Sequence, residues 1–274
     1  NYSNWGFDNY YGLKDMVNYR DNSYMLDTEL VNNETFYDLM FHSDKRFVDY
    51  IITYSAHMPF NQSKGVCKLI LDREKEASLD SEELEVLTPQ TELTEEDCAR
   101  LQANETDKMV GLLIQALRDN NLYDNTVLVV FTDHYLYTLN DMTILDRYKE
   151  TDNNLINHTP FFIYTNNKDK KTIKTVTSQL NILPTVLNLF GIDYNPNYYI
   201  GEDALNNNYQ KIVFFSDYSW YDGNVYVDGG LVTNNRYIKP ELLEQKNYYV
   251  NYLIKKNDLT LKYNYFKDIE KDSQ

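Results

Sequence analysis

The chain has 274 residues, of which 42% are hydrophobic and 15% aromatic, so it can bury a sizeable core and is not a disordered chain. Its 42 acidic and 26 basic residues give a formal net charge of −16, which argues against nucleic-acid binding and against docking on an anionic membrane through a polybasic patch. No run approaches the ~20 apolar residues that a membrane span needs.

Two apolar runs predict buried strands. The first is F-V-D-Y-I-I-T-Y (Phe47 to Tyr54) and the second is V-L-V-V-F (Val127 to Phe131). Between them, T-E-E-D from Thr94 resembles a capping box, and the following helix has one apolar face at i, i+3, i+4 spacing up to the polar break after Leu117. A strand, a helix and a second buried strand in this order predict a βαβ unit with parallel strands.

A charged insertion, Leu69 to Asp97, separates the first strand from this helix. It contains Pro89 and lacks an apolar period, so we predict mostly loop with short helices. The two cysteines of the chain, Cys67 and Cys98, flank it. They form either a disulfide that staples the insertion or two free thiols.

The rest of the chain predicts a strand at Pro160 to Tyr164 and a helix over Thr177 to Gly191, with Gly191 as its C-cap. From Ile212 onward, period-two strands separated by Asp-Gly and Asn-Asn turns predict antiparallel hairpins, followed by a polar helix from about Glu241. We therefore divide the chain into residues 1–205 and residues 206–274, the second of which holds hairpins plus a terminal helix.

The residues that suit catalysis follow the predicted strands. Asp133 and His134 come directly after one strand and His57 after the other, and α/β sheets place ligand sites at that edge. A carboxylate and an imidazole on one turn can both bind a divalent cation, while a second imidazole can hydrogen-bond a phosphoryl oxygen. The alternative is that Asp133 caps the next segment and the histidines are surface residues. His158 precedes the third strand and can reach the same edge if that strand is antiparallel or if the loop before it crosses this edge.

Several segments together resemble the extracellular domain of the lipoteichoic acid synthases, phosphoglycerol transferases of the alkaline phosphatase and sulfatase superfamily. They are F-V-D-Y-I-I-T-Y-S-A-H-M-P-F, N-L-Y-D-N-T-V-L-V-V-F-T-D-H-Y, T-P-F-F-I-Y and Q-L-N-I-L-P-T-V-L-N-L-F-G-I-D. The resemblance covers about the first 220 residues. It implies an α/β fold with a mixed sheet flanked by helices, truncated at its N-terminus, and a small antiparallel C-terminal region.

The resemblance also implies roles for single residues. Asp133 and His134 match two ligands of a Mn²⁺ or Mg²⁺ ion, and His57 matches a histidine that contacts the phosphoglycerol group. His158 is a further candidate for substrate binding. The nucleophilic Thr and a Glu ligand are expected upstream of Asn1, so the chain alone is expected to be inactive. An extracellular location would favour a Cys67–Cys98 disulfide.

By the same resemblance, the intact enzyme moves glycerol phosphate from phosphatidylglycerol or a related glycolipid at the extracellular face of a bacterial membrane. Membrane attachment would come from segments absent from this chain. Two alternatives stay open: a sulfatase or phosphodiesterase that hydrolyses its ester, and a non-catalytic ectodomain that binds glycolipid or wall polymer.

Overall fold

The computed structural model describes residues 5–16, 25–41, 45–79, 92–147, 158–166 and 169–267. Contacts divide the chain into two compact units, Asn1–Lys168 and Asp169–Gln274. The helices of the first unit are α1 (Leu13–Met16), α2 (Asp27–Val31), α3 (Glu34–Phe41), α4 (Gly65–Leu79), α5 (Glu95–Asp119) and α6 (Thr143–Asp146). Its strands are β1 (Leu128–Phe131) and β2 (Phe161–Tyr164).

Helix α5 is the main support of the first unit. Its capping box is present: the Thr94 hydroxyl accepts a hydrogen bond from the Asp97 amide at 3.1 Å, and the Asp97 carboxylate accepts one from the Thr94 amide at 2.9 Å. The apolar face predicted from the sequence is buried, with Met109 and Leu117 each 2% exposed. These side chains form a core with α3, and burying each contributes about 1.5–3 kcal/mol.

The first strand of the predicted βαβ unit is absent. Residues 47–54 have no strand assignment, and Val48 and Ile52 are 80% and 62% exposed. An apolar run becomes a strand only when a neighbouring strand satisfies its backbone groups, and the described part of the chain provides no such neighbour here. Strand β1 pairs antiparallel with β2 in the register Phe131 to Phe161, which settles a direction that the sequence leaves open.

The first part of the charged insertion belongs to the 15-residue helix α4, which is longer than the short helices predicted there. Its Lys, Arg and Glu residues have high helix propensity, and ion pairs such as Arg73 to Glu76 at 3.0 Å support the helix surface. Residues 80–91 lie outside the described residues. A disulfide joins Cys67 on α4 to Cys98 on α5, with Cα atoms 5.4 Å apart. Both cysteines are fully buried, so the bond fixes the two helices together.

The second unit contains helix α7 (Ile182–Leu189), whose C-cap is Phe190 and not the predicted Gly191. Gly191 follows the cap with a positive φ of 64°, a conformation that glycine adopts readily. Strands β3 (Val213–Phe214), β4 (Trp220–Tyr221), β5 (Tyr226–Asp228) and β6 (Leu231–Val232) form one antiparallel sheet in that order. Helix α8 (Pro240–Lys262) packs Val250 against this sheet, and Trp220 is fully buried in the shared core. The predicted hairpins and terminal helix are therefore confirmed.

Candidate functional site

Asp133 and His134 lie in the bend that directly follows β1. The Asp133 side chain is 79% exposed and the His134 side chain 35%, and Nε2 of His134 lies 3.6 Å from Oδ1 of Asp133. The β1 register fixes where this bend begins, since Phe131 is the last paired residue of the strand. A carboxylate oxygen and an imidazole nitrogen, both possible metal ligands, thus lie together at one end of the sheet.

His57 is brought to the same place by the turn at Tyr54. The His57 amide donates to the Tyr54 carbonyl at 2.9 Å, which closes the turn. The His57 and His134 rings lie 6.2 Å apart between centroids and meet edge to face. The side chains of His57, Asp133 and His134, which were expected to follow two different strands, are therefore neighbours in the fold, although residues 47–54 form no strand.

Both imidazoles are oriented by the backbone in the same way. Nδ1 of His57 lies 3.1 Å from the Met58 carbonyl oxygen, and Nδ1 of His134 lies 2.8 Å from the Tyr135 carbonyl oxygen. A carbonyl oxygen only accepts, so each Nδ1 is the donor and each neutral ring keeps Nε2 as its lone-pair nitrogen. That is the tautomer a histidine needs to bind a cation or to accept a proton through Nε2.

A buried polar network holds the turn that carries His57. The Asp27 carboxylate accepts from the amides of Tyr54 at 2.9 Å and Ser55 at 3.1 Å, and from the Thr106 hydroxyl at 2.7 Å. The Gln102 side-chain amide donates to the carbonyls of Ser55 at 2.9 Å and His57 at 2.7 Å. Helices α2 and α5 therefore fix both faces of the turn. Thr106 contributes to this network as a hydrogen-bond donor.

Aromatic side chains flank the imidazoles, and sequence reasoning missed them. Tyr54 stacks on His57 with ring centroids 5.4 Å apart, and Tyr137 meets His134 at 4.8 Å. Each tyrosine lies three residues from its histidine along the chain. This spacing brings the two rings into contact only because the chain turns between them, so the sequence alone does not reveal it. Tyr50 contacts Phe131 at the end of β1, with ring centroids 6.3 Å apart.

His158 precedes β2, and the antiparallel pairing puts the start of β2 beside the end of β1. His158 therefore lies at the sheet end that carries Asp133 and His134. The antiparallel direction of β2 is one of the conditions under which His158 can join the site. Its side chain is exposed, and among the described residues it has no hydrogen bond or ion pair.

Asp133 and His134 are two donors of the kinds that a divalent cation accepts. Among the described residues, no group of three or more His, Cys, Asp or Glu side chains is arranged to hold a metal ion. The donor set fits a cation in kind but supplies only part of a coordination shell. No helix among the described residues is both long and apolar enough to cross a membrane.

Comparison with known proteins gives consistent matches. The family model described as Sulfatase matches residues 1–192. Lipoteichoic acid synthase of Staphylococcus saprophyticus is 25% identical over 192 residues, covering 66% of this chain and 27% of that protein. The Staphylococcus aureus (strain USA300) protein of the same name is 26% identical over 195 residues, with the same coverage. The chain thus spans about a quarter of the length of these relatives.

A solved structure matches nearly the whole chain. The crystal structure of the lipoteichoic acid synthase LtaP from Listeria monocytogenes superposes with a TM-score of 0.72 at 21% identity, over 95% of this chain and 65% of that one. At this identity the match establishes the fold. The predicted α/β class and the predicted superfamily are confirmed.

Proposed function

The chain belongs to the sulfatase family, and from this premise we propose that it forms part of a metal-dependent phosphoglycerol transferase. The donor would be phosphatidylglycerol and the product a lipoteichoic acid, at the extracellular face of a bacterial membrane. The observation that supports the proposal most directly is the meeting of His57 and His134, with ring centroids 6.2 Å apart, beside Asp133. The relatives named lipoteichoic acid synthase favour this reaction over hydrolysis of a sulfate ester.

Asp133 and His134 are the proposed cation ligands, through a carboxylate oxygen and Nε2. The Tyr135 carbonyl oxygen accepts a hydrogen bond from Nδ1 of His134. This bond leaves Nε2 available and holds the ring in one orientation. A bound Mn²⁺ or Mg²⁺ would supply a Lewis acid that neutralises charge on a phosphoryl group. Two protein ligands leave most of the shell to water, so we expect residues 1–274 to bind Mn²⁺ weakly.

His57 is the proposed contact to the phosphoglycerol group. Its Nε2 can accept a proton from a glycerol hydroxyl, or, when protonated, donate to a phosphoryl oxygen. Stacking on Tyr54 and the hydrogen bonds from Gln102 restrict the movement of this residue, and such restriction favours a pre-organised contact. His158 is proposed as a second substrate contact, since the pairing of β1 with β2 brings its segment to the same sheet end.

Calorimetric titration with Mn²⁺ tests the metal site. We expect weak binding by the chain, and no binding by Asp133→Ala and His134→Ala. Asp119→Ala is the matched control, because Asp119 is an exposed carboxylate at the end of α5, and it should bind as the wild type does. Mn²⁺ binding that both site variants retain would refute the assignment of these two ligands.

The reaction itself is tested on the longer protein that contains this chain, with phosphatidylglycerol bearing a labelled headgroup. Transfer of the label to a growing polymer supports the proposal, and its loss in His57→Ala supports the role of His57. Release of free glycerol phosphate, or cleavage of p-nitrophenyl sulfate instead, would support the hydrolase alternative. Binding of glycolipid without any turnover would support the non-catalytic alternative.

A further inference from the structure

Gln102, near the beginning of helix α5, holds the loop that carries His57. Its side chain is fully buried, and its amide group donates to the carbonyl oxygens of Ser55 at 2.9 Å and His57 at 2.7 Å. Both hydrogens of that amide group are therefore used on one turn of the chain. The position of the His57 imidazole thus depends on where the beginning of α5 lies.

Glu95, in the first turn of α5, holds the loop that follows His134 in a similar way. Its carboxylate accepts hydrogen bonds from the amides of Asn140 and Asp141, each at 3.0 Å, and from the Asn140 side chain at 2.8 Å. Glu95 and Gln102 are separated by about two helical turns, so their side chains extend from the same face of α5. One face of the helix therefore supports both loops of the candidate site.

The Cys67–Cys98 disulfide is attached to this same face. Cys98 lies three residues after Glu95 and four before Gln102, a spacing that puts the three side chains next to one another on the helix. Its partner Cys67 belongs to α4, and the Cα atoms of the two cysteines are 5.4 Å apart. The bond therefore fixes the supporting face of α5 against a second helix.

The disulfide also lies in a small core to which both loops contribute. Phe60, three residues after His57, is 6% exposed, and Leu139, five residues after His134, is 5% exposed. Both side chains pack in one cluster with the two cysteines, which are fully buried. Separating the sulfur atoms would thus disturb the packing of both loops as well as the position of α5.

The rest of α5 belongs to a different core. Met109, Leu113 and Leu117 pack there against α3, and the cysteines are not members of that cluster. A unit with two separate clusters can lose the order of one while the other stays folded. Opening the disulfide should therefore act on the two loops and leave the larger core in place.

From this arrangement we infer that the Cys67–Cys98 disulfide is a redox-dependent positioning device for the candidate site. With the bond formed, the imidazoles of His57 and His134 are held together. With the bond open, the chain keeps its fold and loses this arrangement. The disulfide touches no reacting atom, and that the arrangement serves catalysis rests on the proposed function.

Formation of the bond is a two-electron oxidation. The two thiols lose two electrons and two protons, and a small-molecule disulfide such as glutathione disulfide takes them up and becomes two thiols. Because both sulfur atoms are buried, the reduced form is best prepared by refolding the chain in dithiothreitol. Oxidised and reduced samples of residues 1–274 then differ by this bond alone.

NMR of the histidine rings, with amide hydrogen exchange, tests the inference at one pH. On reduction we expect the ring signals of His57 and His134 to shift while those of His158 stay in place. The amides of Asn140 and Asp141 should exchange about tenfold faster, because each loses a hydrogen bond to a charged acceptor. The Cys67→Ala, Cys98→Ala double variant should match the reduced chain and should not respond to glutathione disulfide.

Leu117→Ala is the matched control, because it removes packing from the other core of the same helix and keeps the disulfide. Its His57 and His134 signals should stay at their wild-type positions. Ring signals that do not respond to reduction, or that shift as far in Leu117→Ala, would overturn the inference, and so would complete unfolding of the reduced chain by circular dichroism. The readout needs no turnover, so failure of the proposed transfer reaction would leave these results unchanged.

Discussion

Replacement of Asp27 by Ala should loosen the turn that carries His57. The Asp27 side chain is buried and accepts hydrogen bonds from three groups: the Tyr54 amide, the Ser55 amide and the Thr106 hydroxyl. A hydrogen bond to a charged acceptor contributes about 1.5–3 kcal/mol, and the freed Tyr54 amide can partly recover by binding water. We therefore expect a local loss of about 3 kcal/mol in Asp27→Ala. Asp27→Asn keeps one oxygen acceptor and should lose less.

Amide hydrogen exchange is the appropriate assay, because it reports on this turn separately from the rest of the chain. A loss of 3 kcal/mol corresponds to about a hundredfold faster exchange at Tyr54 and Ser55. Asp107→Ala is the matched control, since Asp107 is an exposed carboxylate on α5, one residue beyond Thr106. Unchanged exchange at both amides in Asp27→Ala would show that the carboxylate does not hold the turn.

Two further predictions concern stability. Removing the disulfide in a Cys67→Ala, Cys98→Ala double variant should lower the free energy of unfolding by about 3–4 kcal/mol, as expected for a loop closed over 31 positions, and urea denaturation in oxidising buffer measures it. A stability equal to that of the wild type would contradict this estimate. Burial, followed by the charge of Glu202, raises the pKa of Tyr209 to about 12. Since the unfolded value is about 10, the folded chain holds this proton more tightly, and stability should fall as the pH rises from about 10 to about 12. Thermal melting over this range should show a smaller fall in Tyr209→Phe, and an equal fall would be evidence against the assignment.

Local patterns were sufficient to predict the longer elements. Helix α5 begins at a capping box and repeats its apolar residues at helical spacing, and the region after Ile212 alternates between short strands and Asp-Gly or Asn-Asn turns. In such segments each residue favours the same local structure that the fold requires. The position of Asp133 and His134 was predictable for the same reason, because they follow the most apolar run of the chain.

Non-local features were not predictable. Whether residues 47–54 form a strand depends on a neighbour, and whether β2 runs parallel or antiparallel to β1 is not encoded in either strand. The lack of an apolar period in the charged insertion predicts mostly loop with short helices, yet helix propensity and surface ion pairs are enough for the longer helix α4 once the Cys67–Cys98 bond holds it to α5. The support of His57 is equally non-local, since Asp27 lies 27 residues before Tyr54 and 79 before Thr106.

A pair of glycines tests how closely the second unit is packed. A Cβ at Gly201 would lie 1.8 Å from the Leu180 carbonyl oxygen and 2.3 Å from its carbonyl carbon, whereas a Cβ at Gly111 in α5 would meet nothing within 4 Å. Both atoms near Gly201 are backbone, so relief would require moving the segment directly before α7. Gly201→Ala should therefore lower the free energy of unfolding by about 3 kcal/mol or more, while Gly111→Ala should raise it by about 0.5–1 kcal/mol through helix propensity. Urea denaturation followed by circular dichroism measures both. Equal effects of the two substitutions would mean that Gly201 and Leu180 do not approach each other in solution.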